Sequence, residues 1–248
     1  MKLLYPKIFK SEPSISALFT GANKEIINPQ GTVTGLNLGY NTEASPIEVD
    51  QNFDVLFKEI GWNKDRLAIA NQIHQSTIKY ATKGGVYDDT DGLVTDRVEI
   101  SLGIRVADCA AILAGDSING VVGAFHAGWK GAADNVVPNS IDKMIQLGAD
   151  PEHIRVYLSP CISLHNFEVG EEVSSKFPDQ FVDRESYNKP HVDLKGFIGW
   201  QLLNSGIKIQ NVEISTHCTV QDSKYYSYRR ERGRAGRMLG MIKLNEEI

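Results

Sequence analysis

Three short segments of this 248-residue chain carry side chains that bind metals or act as nucleophiles. They are Asn71-Gln72-Ile73-His74-Gln75, Val106-Ala107-Asp108-Cys109-Ala110-Ala111 and Ala124-Phe125-His126-Ala127-Gly128-Trp129. Imidazole and thiolate suit zinc, and a catalytic zinc keeps three protein ligands plus an open position. Water in that position ionises near neutral pH. Ala107, Ala110, Ala127 and Gly128 are small and leave room for a substrate. On a strand, Gln72 and His74 share a face while Ile73 points to the core. Each residue also has a plainer reading. A cysteine between alanines is more often core than ligand, and a lone histidine usually just finds a hydrogen bond.

The second and third segments flank Asp116-Ser117-Ile118-Asn119, a turn sequence followed by Gly120. If those four residues form the loop, Cys109 stands directly across from His126, with Cβ atoms about 4.5–5.5 Å apart. A tighter turn at Asn119-Gly120 would spoil that register.

The surrounding pattern mixes strands and helices without a regular βαβ repeat. Alternation at Leu36, Leu38 and Tyr40 predicts a half-buried strand. Helical spacing predicts a helix over 47–62, closed by Gly61. Residues 67–81 read as strand, polar corner and strand, and 92–127 as a run of strands. A helical stretch follows to Gly148, in which Pro138 marks a kink or the true first turn. Residues 154–160 and 207–216 read as strands, and 168–178 and 193–205 as helices. The expectation is an α+β fold, one domain over 1–248, with a mixed β-sheet core flanked by helices.

Composition narrows the function classes. Hydrophobic residues make up 42% and charged residues 23%, an ordinary globular mix. The formal net charge of −5 offers no general attraction to nucleic acid or anionic membranes. No segment approaches the about 18 apolar residues that span a bilayer, and Pro6 and Lys7 break the N-terminal apolar run. A cytoplasmic protein with a small-molecule substrate is expected, as monomer or homodimer. The three cysteines are a poor disulfide framework.

The ordered motifs NQIHQ, DGLVT, VADCAAIL, AFHAGWKG, SPCI, FEVG, HCT and YYSYRRERGRAGR closely resemble the laccase-domain family. That family is also called multicopper polyphenol oxidase-like, purine nucleoside phosphorylase-like or the peptidoglycan editing factor family. FTG and GLNLG extend the resemblance over about the whole chain. It implies a zinc site of His74, Cys109 and His126, and a fold like the cytotoxic necrotizing factor catalytic domain. It implies phosphorolysis of purine nucleosides and adenosine deamination. The alternatives are amide hydrolysis of peptidoglycan precursors, with Cys109 as nucleophile and His126 as base, and copper-dependent phenol oxidation. Cu2+ is therefore the second metal considered, although six histidines are few for several copper ions. Lys130 stands where the family usually has arginine, and the segment after FTG departs from the family's glycine-rich pattern.

Further residues have competing readings. Arg229 and Arg230 lie in the one dense basic cluster and suit a phosphate, while Arg232, Arg234 and Arg237 read as solvated charge. Asp108 is the first choice for the acid that protonates the leaving base, and Glu168 the second. Asn37, Gln72, Trp129 and Lys130 complete the expected substrate contacts, Trp129 by stacking on a purine. Cys161 reads as an inert core thiol. His217 and Cys218 are adjacent, so on a strand they point to opposite faces. His153, His165 and His191 read as ordinary.

Overall fold

The hairpin of strands Ala110–Asp116 and Val121–Ala127 lies at the centre of the fold in the computed structural model, which describes residues 1–246. The last two positions of the expected 1–248 domain lie outside the described residues. Every residue of the hairpin's two strands is buried, because both faces are covered. Ala111, Leu113, Val122 and Ala124 enter one core, and their neighbours Ala110, Ile112, Ala114, Val121 and Phe125 enter another. A period of two thus splits one hairpin between two cores, which is why its sequence reads as nearly continuous apolar residues.

The hairpin belongs to a six-stranded sheet. Its order is Val212–Ile214, Arg155–Leu158, Ala110–Asp116, Val121–Ala127, Gly92–Thr95 and Ile78–Tyr80. A second six-stranded sheet runs Leu3–Leu4, Ile15–Thr20, Met238–Leu244, Ser101–Val106, Leu67–Ala70 and Gly85–Tyr87. Both mix parallel and antiparallel pairs. The two sheets pack so closely that a Cβ on Gly240 would stand 3.0 Å from that of Ala111. Helices Val136–Gln146 and Leu194–Asn204 cover the hairpin's other face. The result is a single α+β domain with mixed sheets flanked by helices. No helix among the described residues is long and apolar enough to cross a membrane.

Helix Pro46–Ile60 matches its predicted span closely. Ser45 and Glu48 form a reciprocal capping box, and Gly61 closes the helix in the left-handed conformation. The helical stretch after Trp129 is two helices, Trp129–Ala133 and Val136–Gln146, parted at Asn135 (φ 64°). Pro138 therefore sits in a first turn, where its missing N–H costs nothing. Three expectations fail. Residues 35–40 form no strand, because Leu36 and Leu38 donate to the carbonyls of Ala22 and Arg237 in an irregular segment. Residues 168–178 hold only the short helix Glu171–Ser174, and 207–216 hold a 3-10 turn at Ile209–Asn211 before the short strand Val212–Ile214.

Candidate metal centre

His126 is the best-positioned of the three expected ligands. It lies near the end of its strand, 2% exposed, on the face turned toward the second sheet. Its Nδ1 donates to the Asp91 carboxylate at 2.7 Å, which leaves Nε2 for a metal. Cys109 precedes its strand and is half-buried. The hairpin loop is Ser117–Gly120, one residue later than expected, so His126 pairs with Ala111 rather than with Cys109. The expected direct opposition is therefore displaced by two residues. Because two residues preserve the face, Cys109 still points the same way as His126.

That shift brings Gly128 opposite Cys109. A Cβ at Gly128 would lie 2.9 Å from Cys109 Sγ, 3.5 Å from a His74 ring carbon and 3.7 Å from a His126 ring carbon. The absent side chain is the space between the three ligands.

His74 departs from its predicted setting. Residues 67–81 hold the expected strand, corner and strand, but His74 lies in the corner, where the strand period that put it on one face with Gln72 does not apply; Ile73 is partly exposed, and His74 has φ 58°. The corner is held by Asp91, a fully buried residue. Its Oδ1 accepts from the His74 amide at 2.9 Å and from His126 Nδ1. Its Oδ2 accepts from the amides of Ile73 and Gln75 at 3.2 and 2.7 Å. One carboxylate thus sets the backbone of one histidine and the ring of another. Burial alone would raise Asp91's pKa, but His126 and these amides hold it below the usual range.

The donor atoms of His74, Cys109 and His126 all lie within 4.8 Å of one another. Tetrahedral zinc at bond lengths of about 2.0–2.3 Å asks for donors roughly 3.5 Å apart, a modest closure from this spacing. Burial would push the Cys109 thiol up; the charges and hydrogen bonds of His126 and His74 outweigh it and bring the thiol down toward a thiolate. His126 shifts upward, with Cys109 and Asp91 overcoming the effect of burial. Two imidazoles, a thiolate and an open cradle fit a zinc-type ion. Among the described residues, no other group of three or more His, Cys, Asp or Glu side chains has such spacing.

The triad lines a cleft of about 700 Å³. Gln72, Asp108, Trp129, Glu168 and Arg229 also line it, whereas Asn37, Lys130 and Arg230 do not. Gln72 brackets the backbone of Arg105, donating to its carbonyl at 2.8 Å and accepting from its amide at 2.9 Å. Asp108 (φ 76°) accepts from Thr219 Oγ1 at 2.5 Å, Ser227 Oγ at 3.1 Å and the Arg229 amide at 2.6 Å. With its acceptors so occupied, it ties the Cys109 turn to the C-terminal segment. Glu168 forms an ion pair with Lys189 that holds its carboxyl below the usual range.

The basic cluster divides. Arg229 lies over the Phe167 ring and donates to the carbonyls of Asn166 and Glu168 at 3.2 and 3.0 Å. Arg230 spends its guanidinium on the carbonyls of Thr219, Val220 and Tyr225 and on Glu231. Lys130 is exposed, and Asn37 is buried, with its Oδ1 accepting the Arg237 amide. Cys161 is buried and its thiol pushed up to about 12. The ring of His217 sits 3.2 Å from Asp222.

Sequence reasoning left out Asp91, Arg105 and Tyr40, which shape or line the site, and read Arg237 as solvated. Asp91 had a signal. It opens the DGLVT motif, and an acid at the head of an otherwise apolar strand needs a partner.

A family model described as multi-copper polyphenol oxidoreductase laccase matches residues 18–245. A Deinococcus radiodurans protein named purine nucleoside phosphorylase is 34% identical over 219 residues, covering 86% of this chain and 84% of that one. A Corynebacterium glutamicum protein with the same name is 32% identical over 226 residues, covering 88% and 90%. The crystal structure of the Bacillus licheniformis hypothetical protein YfiH superposes with a TM-score of 0.89 at 27% identity, covering 98% of this chain and 96% of that one.

Proposed function

Since the chain belongs to the multi-copper polyphenol oxidoreductase laccase family, we propose that its cleft performs phosphorolysis of purine nucleosides around a zinc ion held by His74, Cys109 and His126. The observation that carries the reading is the meeting of the three donors around the Gly128 cradle, in the wall of a cleft large enough for a nucleoside. The names of the relatives choose the substrate class. When bound, the ion supplies Lewis acidity at that point.

The chain's own residues do the rest. Asp91 fixes the His126 ring so that Nε2 faces the cleft. Trp129, half-buried at the start of its helix, offers an aromatic face to a purine. Asp108 acts by holding the Cys109 turn through Thr219, Ser227 and Arg229, which leaves Glu168, paired with Lys189, and Glu172 as the other carboxylates that line the cleft. Adenosine deamination would use the same cleft, with water in place of phosphate as the nucleophile.

The Cys109–His126 contact also favours a second reading, in which a free thiolate attacks an amide. Zinc bound one-to-one in purified protein would remove it. A multicopper oxidase needs further ligand clusters, and among the described residues there is one.

The test incubates zinc-loaded protein with inosine and adenosine, with and without phosphate, and resolves the products by chromatography. Phosphate-dependent release of free base, abolished in Cys109→Ala, is expected. Base release that ignores phosphate, or survives in Cys109→Ala, overturns the proposal.

A further inference from the structure

Two arginines in the cleft lack the partners that buried guanidinium groups normally have. Arg105 lies on Ser101–Val106, and Arg237 immediately precedes Met238–Leu244. Arg105 pairs directly with Leu239, and Arg237 comes two residues before Leu239, so the two arginines share a face as diagonal neighbours. Diagonal neighbours lie about 7–8 Å apart, which puts both side chains within reach of one small anion. Both line the cleft that holds Cys109.

Neither has an acidic partner within 4.0 Å among the described residues. Arg105 donates once, to the carbonyl of Ala70 at 3.0 Å. Arg237 donates through one nitrogen, to the carbonyls of Ala235 and Gly236 at 2.6 and 3.1 Å. These bonds aim the guanidinium groups without neutralising them and leave most of their five N–H donors open. Burial depresses both pKa values, and the charge of Arg237 lowers Arg105 further, while Cys109, Tyr228 and Asp108 only partly offset the effect of burial at Arg237. Asp108, whose charge acts on Arg237, is already taken up by three donors. Gly39 shapes the wall, since a Cβ there would lie 2.3 Å from Arg237 Cγ. Two like charges held side by side in a half-buried wall are costly unless an anion visits.

We propose that Arg105 and Arg237 form an oxyanion site beside Cys109 that takes a tetrahedral phosphate, either free orthophosphate or the phosphoryl group of a nucleoside monophosphate. Only the choice of free phosphate rests on the phosphorolysis reading. Fork-shaped guanidinium groups match phosphate oxygens bidentately, which a lysine could not do.

Calorimetric titration of zinc-loaded protein with inorganic phosphate, and separately with inosine monophosphate, tests the site. Saturable binding is expected in wild type, weakened at least about tenfold in Arg105→Gln and in Arg237→Gln. Arg105→Lys and Arg237→Lys, which keep charge and stem, should fall between. Tighter binding of phosphate identifies the free ion, and tighter binding of the monophosphate a nucleotide. Either one, lost in the variants, supports the site. Absence of saturable binding in wild type, or affinities within twofold in folded Gln and Lys variants, overturns it. If wild type binds phosphate through these arginines but does not cleave inosine, the anion site stands and phosphorolysis falls. If inosine is cleaved with an unchanged KM for phosphate in the variants, phosphorolysis stands and the anion site falls.

Discussion

Asp91 and Gly128 govern the candidate centre although neither donates to it. Asp91→Asn keeps the size of the group but removes the charge that favours His126 Nδ1–H and weakens the bonds shaping the His74 corner. Zinc affinity, read by competition with a chelator, should fall about 10–100-fold. An unchanged affinity would show that the ligands need no support. Gly128 has φ −81°, so alanine is allowed by the backbone and the test is purely one of space. Gly128→Ala should weaken zinc about tenfold, in line with the cost of overpacking, while the metal-free protein melts within a few degrees of wild type. Equal affinity would mean that the ion does not occupy this cradle.

The residues that could be read in advance were those whose type is chemically unusual, namely His74, Cys109 and His126. Those that escaped work through geometry. Asp91 matters because three consecutive amides and a ring converge on it, and this follows from a corner whose φ 58° no strand pattern announces. Arg237 looked like one more charge in a basic run. Only the pairing of its strand with the strand of Arg105 places it in the cleft.

At the scale of elements, the central hairpin depends on its turn. Asp116 is fully buried and accepts from the amides of Ile118 and Asn119, the Asn119 side chain and the amide of Asp150. Burial would raise its pKa, but these donors hold it below the usual value. A group depressed in the folded state stabilises fully above its unfolded pKa of about 3.9 and loses that contribution as pH falls toward the folded value. Asp116→Asn should therefore cost about 1–3 kcal/mol near neutrality and flatten the acid limb of a urea-unfolding series against pH. A variant with wild-type acid sensitivity would contradict this. The helix Pro46–Ile60 was legible because Ser45, Glu48 and Gly61 announce both of its ends locally. The turn was misplaced by one residue because Asp116 belongs at once to the strand and, through its carboxylate, to the loop.

For the molecule as a whole, a bound ion stabilises only the folded state, since its ligands come from three separate segments. Removing it with a chelator should lower the melting temperature, by an amount set by affinity and free metal. An ion present at a thousand times its Kd contributes about 4 kcal/mol. Identical melting with and without chelator would show that the folded chain holds no metal. The α+β class could be read from the mixture of patterns, but the division into two sheets could not. The strands Leu67–Ala70 and Ile78–Tyr80 are close in sequence, yet they enter different sheets because the His74 corner turns the chain between them.

The hairpin shared by two cores has one more consequence. A slip of a single residue would exchange its faces and carry His126 away from Cys109 into the helix-covered core. An alternative pairing could still be compact and apolar, because both faces are lined by similar small and branched side chains. It could not collect three ligands. Metal capture would therefore work as proofreading: an ion would be retained only by chains whose strands are correctly aligned, and uptake during refolding would count those chains directly.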